Sequence, residues 1–238
     1  MEIKITHLYP DLLNLYGDKG NIASLCKRLS WREITPVLNV VSLNETPDLT
    51  DTDILFLGGG SDRELSIVGK ELVRYRDVFS DYIENNGVML AVCGGFSLLG
   101  KYLKTKDETI EGLGVLDLRT EYSQKRIMGK VVLESALTGG YIVGFENHTG
   151  KIESDLPPLG KVLYGMGNNG KDKKEGALYK NTAGTNLHGP ILPANPELTD
   201  YILSKALNKK YGEVSLSSLD DSDESKAKNY IVSRLIKS

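Results

Sequence analysis

The sequence predicts an α/β protein built on an open, doubly wound, mostly parallel sheet whose second half turns mixed or antiparallel. Three observations predict it. Short apolar runs alternate with helical stretches through the first half. The run Val88-Met89-Leu90-Ala91-Val92 is continuously apolar, as in a central strand covered on both faces. Glycines follow two of these runs directly, at Gly58-Gly59-Gly60 and at Gly94-Gly95.

Taken in order, Ile3 to Leu8 reads as the first strand, Asn21 to Leu29 as a helix, Val37 to Leu43 as a strand and Ile54 to Leu57 as a short buried strand. Glu64 to Glu84 reads as one long helix, and a further helix opens at Gly94. The turn-rich second half offers short strands at Lys130 to Leu133, Tyr141 to Phe145, Val162 to Tyr164 and Ala177 to Lys180. Asn195-Pro196-Glu197 is a helix start, with Asn as cap, Pro at the first helical position and an acid in the first turn. That helix runs to about Lys209. Ser215 to Ser238 is charged, and Tyr230, Ile231 and Leu235 make an apolar stripe on a last helix. The division expected is one domain over residues 1–209 and a helical tail over 210–238 that packs on the domain or on a partner.

With 238 residues, 40% hydrophobic and 26% charged, the chain has the composition of an ordinary soluble globular protein. A net charge of -3 removes the broad cationic surface that nucleic-acid binding needs. No apolar run approaches membrane-spanning length, and Met1 to His7 lacks a leader's apolar core, so the expected location is the cytoplasm. Two cysteines, Cys26 and Cys93, exclude a disulfide framework.

Cys93 stands between the central apolar run and Gly94-Gly95, the arrangement that holds a nucleophile on a tight strand-to-helix turn. Ala91 and Gly95 leave room two residues to either side, and a helix N-terminus is expected to lower the thiol pKa. A lone cysteine is more often a small buried hydrophobe. Cys26, inside a helical pattern with Leu25 and Leu29, is read that way. Nucleophilic chemistry also needs a base and oxyanion donors. The backbone amides of Gly60 and Gly94 suit the second role, each such donor being worth about 3 kcal/mol of barrier. Of three histidines, His188 is the first choice as base because it follows a short strand and precedes the Gly189-Pro190 turn. His148 is the second choice.

Together these motifs resemble the class I glutamine amidotransferases, in their cobyric acid synthase-like branch, and within it the glutaminase subunits of lipid II isoglutaminyl synthase. The resemblance rests on Ala91-Val92-Cys93-Gly94-Gly95-Phe96, Leu8 to Asp18, Gly58-Gly59-Gly60-Ser61-Asp62, Phe145-Glu146-Asn147-His148 and His188-Gly189-Pro190. It implies a flavodoxin-like glutaminase in which Cys93 attacks the side-chain amide of L-glutamine and His188 shuttles protons. It further implies that Arg126, beside Lys125, holds the substrate's α-carboxylate. Ammonia would pass to a Mur-ligase-like synthetase subunit in a heterodimer, for amidation of D-glutamate in the lipid II stem peptide. ATP and metal are expected on that partner, and no cofactor on this chain. One departure stands out. Class I amidotransferases carry a Glu two residues after the histidine, where this chain has Pro190. The third triad acid is therefore unknown in this chain and is expected from the partner.

Rival readings are an amidotransferase subunit for another carboxylate acceptor, cobyric acid-like, and a non-catalytic regulatory module of the same fold. Gly165-Met166-Gly167-Asn168-Asn169-Gly170 fits G-x-G-x-x-G, but the charged stretch after it reads as a hairpin loop with an Asn-Gly turn rather than the helix a dinucleotide site needs.

Overall fold

A computed structural model describes residues 1–236; positions 237 and 238, the end of the tail segment, lie outside it. Chain order is β1 (Glu2–Leu8), α1 (Lys19–Ser30), β2 (Thr35–Val41), β3 (Ile54–Leu57), α2 (Asp62–Leu72), α3 (Arg76–Glu84), β4 (Val88–Val92) and α4 (Gly94–Leu98). There follow β5 (Tyr102–Lys104), β6 (Thr109–Glu111), β7 (Leu118–Ser135), β8 (Gly140–Ser154), β9 (Gly160–Tyr164), β10 (Lys174–Glu175), β11 (Ala177–Tyr179), β12 (Thr182–Thr185), β13 (Leu187–His188), α5 (Pro196–Tyr211) and α6 (Ser222–Ile236).

The first sheet has strand order β11-β12-β4-β3-β1-β2 and is parallel except for β11. Every residue of β3 and β4 is buried. Their side chains alternate between two cores, as the two-residue period of a strand dictates. Ile54, Phe56, Val88, Leu90 and Val92 meet Leu25 and Leu29 of α1 and Leu203 and Leu207 of α5. Leu55, Leu57, Met89 and Ala91 meet Leu65, Val68 and Leu72 of α2 and Phe79 of α3. Helices thus cover both faces, as the sequence predicts. The second sheet has order β10-β9-β7-β5-β6, with β8 joining β7 to β13. The short strands expected near Lys130 and Tyr141 are the middles of an 18-residue and a 15-residue strand, paired antiparallel.

Three sequence expectations are corrected. The long helix from Glu64 is two helices split by a 3-10 turn at Val73–Tyr75. Arg76 anchors the split by donating to the carbonyls of Leu113 and Gly112 and pairing with Glu111. The apolar spacing runs through the break in phase, so periodicity is blind to it. Asn195 does not cap α5 with its side chain. Its Oδ1 accepts from the Val143 amide at 2.9 Å, and its Nδ2 donates to the carbonyls of Val143 and Ile191. It clamps the second sheet to the helix instead. In α6, Tyr230 is exposed and Val232 takes its place, packing with Ile231 and Leu235 against Val132, Val143 and Ala194 of the body. Arg28 of α1 ties this segment down by bonding both Asp200 of α5 and Asp221. Among the described residues, no helix is long and apolar enough to cross a membrane.

Candidate active site

The turn after β4 has the geometry of a nucleophile elbow. Cys93 adopts φ 53 and ψ -117, a conformation that costs a non-glycine residue of the order of 1–3 kcal/mol and that persists only where its surroundings enforce it. The enforcing contacts are backbone ones. The Cys93 amide donates to Thr185 O of β12 at 2.7 Å, and Cys93 O accepts from Ser97 in the first turn of α4. A Cβ on Gly95 would run into the carbonyl oxygens of Gly58 and Leu57, so the neighbouring strand end can approach only a glycine.

Gly58-Gly59-Gly60 lies beside the elbow at the carboxyl end of β3, and a Cβ on Gly59 would stand 3.0 Å from Cys93 Cβ. The loop after β1 holds it there. Asp18 Oδ2 accepts from the Gly59 amide at 2.8 Å, and the Leu15 amide donates to Gly59 O. That bracing gives the Leu8 to Asp18 motif a structural purpose. The Gly60 amide is left without an acceptor among the described residues. Gly60, Gly94 and Cys93 line one cavity of about 460 Å³ with Tyr16, Arg126, Asn147 and His148.

Burial pushes the Cys93 thiol up to about 12, the Gly94 amide and the Arg126 charge pulling the other way. This corrects the lowered pKa expected from sequence. A five-residue helix carries little dipole, and desolvation outweighs it. The resting group is a neutral thiol, so attack requires a base.

Arg126 reaches the cavity through an irregularity that no local pattern announces. Between Tyr122 and Ile127 the pairing of β7 with β8 slips, since Tyr122 faces Gly150 while Ile127 faces His148. Four residues, 123–126, therefore oppose Thr149 alone, and such a bulge re-aims side chains. Arg126 Nη1 donates to Asn147 Oδ1 at 2.7 Å, and Asn147 Nδ2 donates to the Tyr16 hydroxyl at 2.6 Å. The side chain of neighbouring Lys125 makes no hydrogen bond or ion pair among the described residues.

His188 arrives from the other direction. One residue, Asn186, separates β12 of the first sheet from β13, where His188 pairs with Phe145 of β8. His188 is buried and lies behind the cavity wall, its ring edge-on to Tyr16 with centroids 4.5 Å apart. Burial, aided by the charge of His148, drives its pKa down to about 4, so the imidazole is neutral. Neither ring nitrogen has a hydrogen-bond partner among the described residues. Pro190, two residues after His188, packs onto Gly20 of α1. His148 lines the cavity and shares a 2.6 Å hydrogen bond between its Nδ1 and Gly150 O. His7 is buried on β1 with its ring edge against Phe56. Cys26 packs half-buried against the core and has no part in the cavity.

Two buried acids escaped sequence reasoning. Glu146 accepts from the amides of Met166 and Gly167, so the glycine-rich loop does cradle a carboxyl group, but one belonging to its own chain. No helix follows that loop; β9 and β10 form a hairpin across it. Glu175 accepts from the Thr185 hydroxyl and the Asn186 amide, both at 2.7 Å, fixing the link between Cys93's hydrogen-bond acceptor and His188. Burial raises its pKa to about 7, against those two donors. Since the ordinary value is 4.5, the folded chain keeps a proton that the unfolded chain has lost between about pH 4.5 and 7. Stability from this group therefore declines as pH rises through that window. Glu175→Gln is expected to be stabilised relative to the parent by about 1–3 kcal/mol more at pH 8 than at pH 5. Thermal melts at the two pH values check this, and an equal offset at both contradicts it.

A model of the CobB/CobQ-like glutamine amidotransferase domain matches residues 4–196. The chain belongs to this family. The amidotransferase is 47% identical over 236 residues to the Staphylococcus aureus (strain N315) lipid II isoglutaminyl synthase (glutamine-hydrolyzing) subunit GatD, covering 98% of this chain and 96% of that one. It is 40% identical over 225 residues to the same-named subunit of Streptococcus pneumoniae, covering 92% and 86%. Its fold is similar to that of a chain in the structure of PurLQS from Thermotoga maritima. The TM-score there is 0.59 at 18% identity, over 87% of this chain and 99% of that one. The family makes the protein an enzyme, a glutamine amidotransferase.

Proposed function

We propose that this amidotransferase is the glutamine-hydrolysing subunit of a lipid II isoglutaminyl synthase. The near-full-length identity to two subunits of that name carries the reading. In it, His188 takes the thiol proton as Cys93 Sγ attacks the side-chain amide carbon of L-glutamine. The oxyanion is received by the amides of Gly60 and Gly94, and collapse expels ammonia protonated from His188. Water, activated by the same imidazole, then releases glutamate from the thioester. Support for these roles lies in the elbow strain at Cys93, the acceptor-free Gly60 amide and the neutral buried His188. Arg126 holds the substrate's α-carboxylate. Arg126→Ala is expected to raise the glutamine KM about tenfold or more with a smaller change in kcat, measured by ammonia release; an unchanged KM removes Arg126 from the site.

The rest of the reading concerns the partner. A Mur-ligase-like subunit, holding ATP and metal, accepts the ammonia and amidates D-glutamate of the lipid II stem peptide in the cytoplasm. This chain needs no cofactor of its own. In this reading the orienting acid for His188 comes from that subunit, which fits the lack of a partner for either ring nitrogen among the described residues. The test is glutamine hydrolysis by the chain alone and in the complex, with lipid II amidation followed by mass spectrometry. Slow hydrolysis alone, a rise on complex formation and amidated product support the reading. Full activity alone overturns the shared triad, and absence of amidation overturns the acceptor.

A further inference from the structure

Tyr16 touches both halves of the site at once. Its ring stands edge-on to His188, with an interplanar angle of 62°. Its hydroxyl accepts from Asn147, whose own oxygen accepts from Arg126. The backbone there is left-handed, with φ 63 at Tyr16 and φ 80 at Gly17, a conformation a tyrosine adopts only when held. The brace of Leu15 and Asp18 on the triglycine loop fixes both ends of that turn. Resting on the reading above, we propose that Tyr16 is a positioning residue for glutamine hydrolysis: its ring sets the plane of His188, and its hydroxyl, through Asn147, presets the guanidinium of Arg126 for the substrate.

The two contacts have separable consequences. Within this chain the His188 imidazole has no hydrogen-bond partner among the described residues, so packing holds its plane beside whatever the partner subunit adds, and the phenol ring packs on it directly. The hydroxyl bond acts at the opposite end of the substrate, by limiting the freedom of Asn147 and so of Arg126. The charged group that bears on the ionisation of His188 is His148 of β8; Phe145 pairs with His188 across the strands, and Tyr16 packs beside the ring.

The experiment is steady-state glutamine hydrolysis by the chain with its synthetase subunit, as a function of pH, for Tyr16→Phe, Asn147→Ala, the double variant and Tyr16→Ala. Tyr16→Phe keeps the ring and is expected to raise KM about two- to tenfold at unchanged kcat. Asn147→Ala is expected to do the same, and the double variant to match either single one, because both cut one chain of bonds. Tyr16→Ala uncovers His188, so the acid limb of kcat/KM is expected to move up by about one to two pH units, toward the ordinary imidazole value. Additive KM effects overturn the hydroxyl relay, and an unmoved acid limb in Tyr16→Ala overturns the role of the ring. Cys93→Ala run in parallel keeps the two readings apart. Activity surviving in that variant sinks the assignment of the site itself; an inactive Cys93→Ala beside additive or unmoved Tyr16 variants sinks only the role given to Tyr16.

Discussion

Replacing Cys93 by alanine is expected to reduce ammonia release from glutamine by about 10⁴-fold or more while leaving the chain folded. The first half of that expectation follows from the nucleophile role proposed above, Cys93 being the thiol that lines the cavity among the described residues. The second half follows from packing. The side chain is small, and alanine keeps the same Cβ at the same φ, so the loss in stability should stay below about 1 kcal/mol. Ammonia release and a thermal melt on the same preparation check both halves. Site-selective labelling of the parent by a glutamine-analogue electrophile, absent in Cys93→Ala, is the matching positive result. Retained hydrolysis would end the thioester reading.

His188→Ala is expected to cost about 10³- to 10⁴-fold in kcat, close to the loss of the nucleophile. The thiol pKa of about 12 makes a base indispensable near neutral pH. An imidazole kept neutral by burial has a lone pair free to take up the thiol proton near neutral pH. The informative comparison is His148→Ala, because His148 lines the cavity whereas His188 stands behind Tyr16. A hydrogen bond to Gly150 O makes Nδ1 of His148 the protonated nitrogen and fixes that ring in place. If His148→Ala silences hydrolysis and His188→Ala does not, the two histidines exchange roles. The expected order is the reverse, with His148→Ala the milder variant.

Much of this arrangement was legible in the residues. The apolar run ending at Val92, the small residues flanking Cys93 and the glycines after Leu57 are local signals, and strand ends of an α/β sheet gather them at one edge. The histidine was harder to choose, because its environment is made by segments distant in sequence. The bulge that aims Arg126 depends on a register slip between two strands, and the burial that raises the Cys93 pKa depends on what packs above the elbow. Neither leaves a pattern within one window of residues. Asn195 shows the same limit. Its surroundings match a helix cap in sequence, yet the Val143 backbone outcompetes the helix for its side chain. The glycine-rich loop leads into a hairpin, as its charged flank predicts, but its internal guest, Glu146, has no local signal, because only the fold brings the two together.

The single-residue crossing at Asn186 has a mechanical consequence. The sulfur is rooted in one hydrogen-bonded layer and the imidazole in the other, so their separation is not fixed by either layer alone. In the proposed mechanism the thiol proton passes between groups rooted in different sheets, so the placement of one sheet against the other sets the transfer distance on which that mechanism relies.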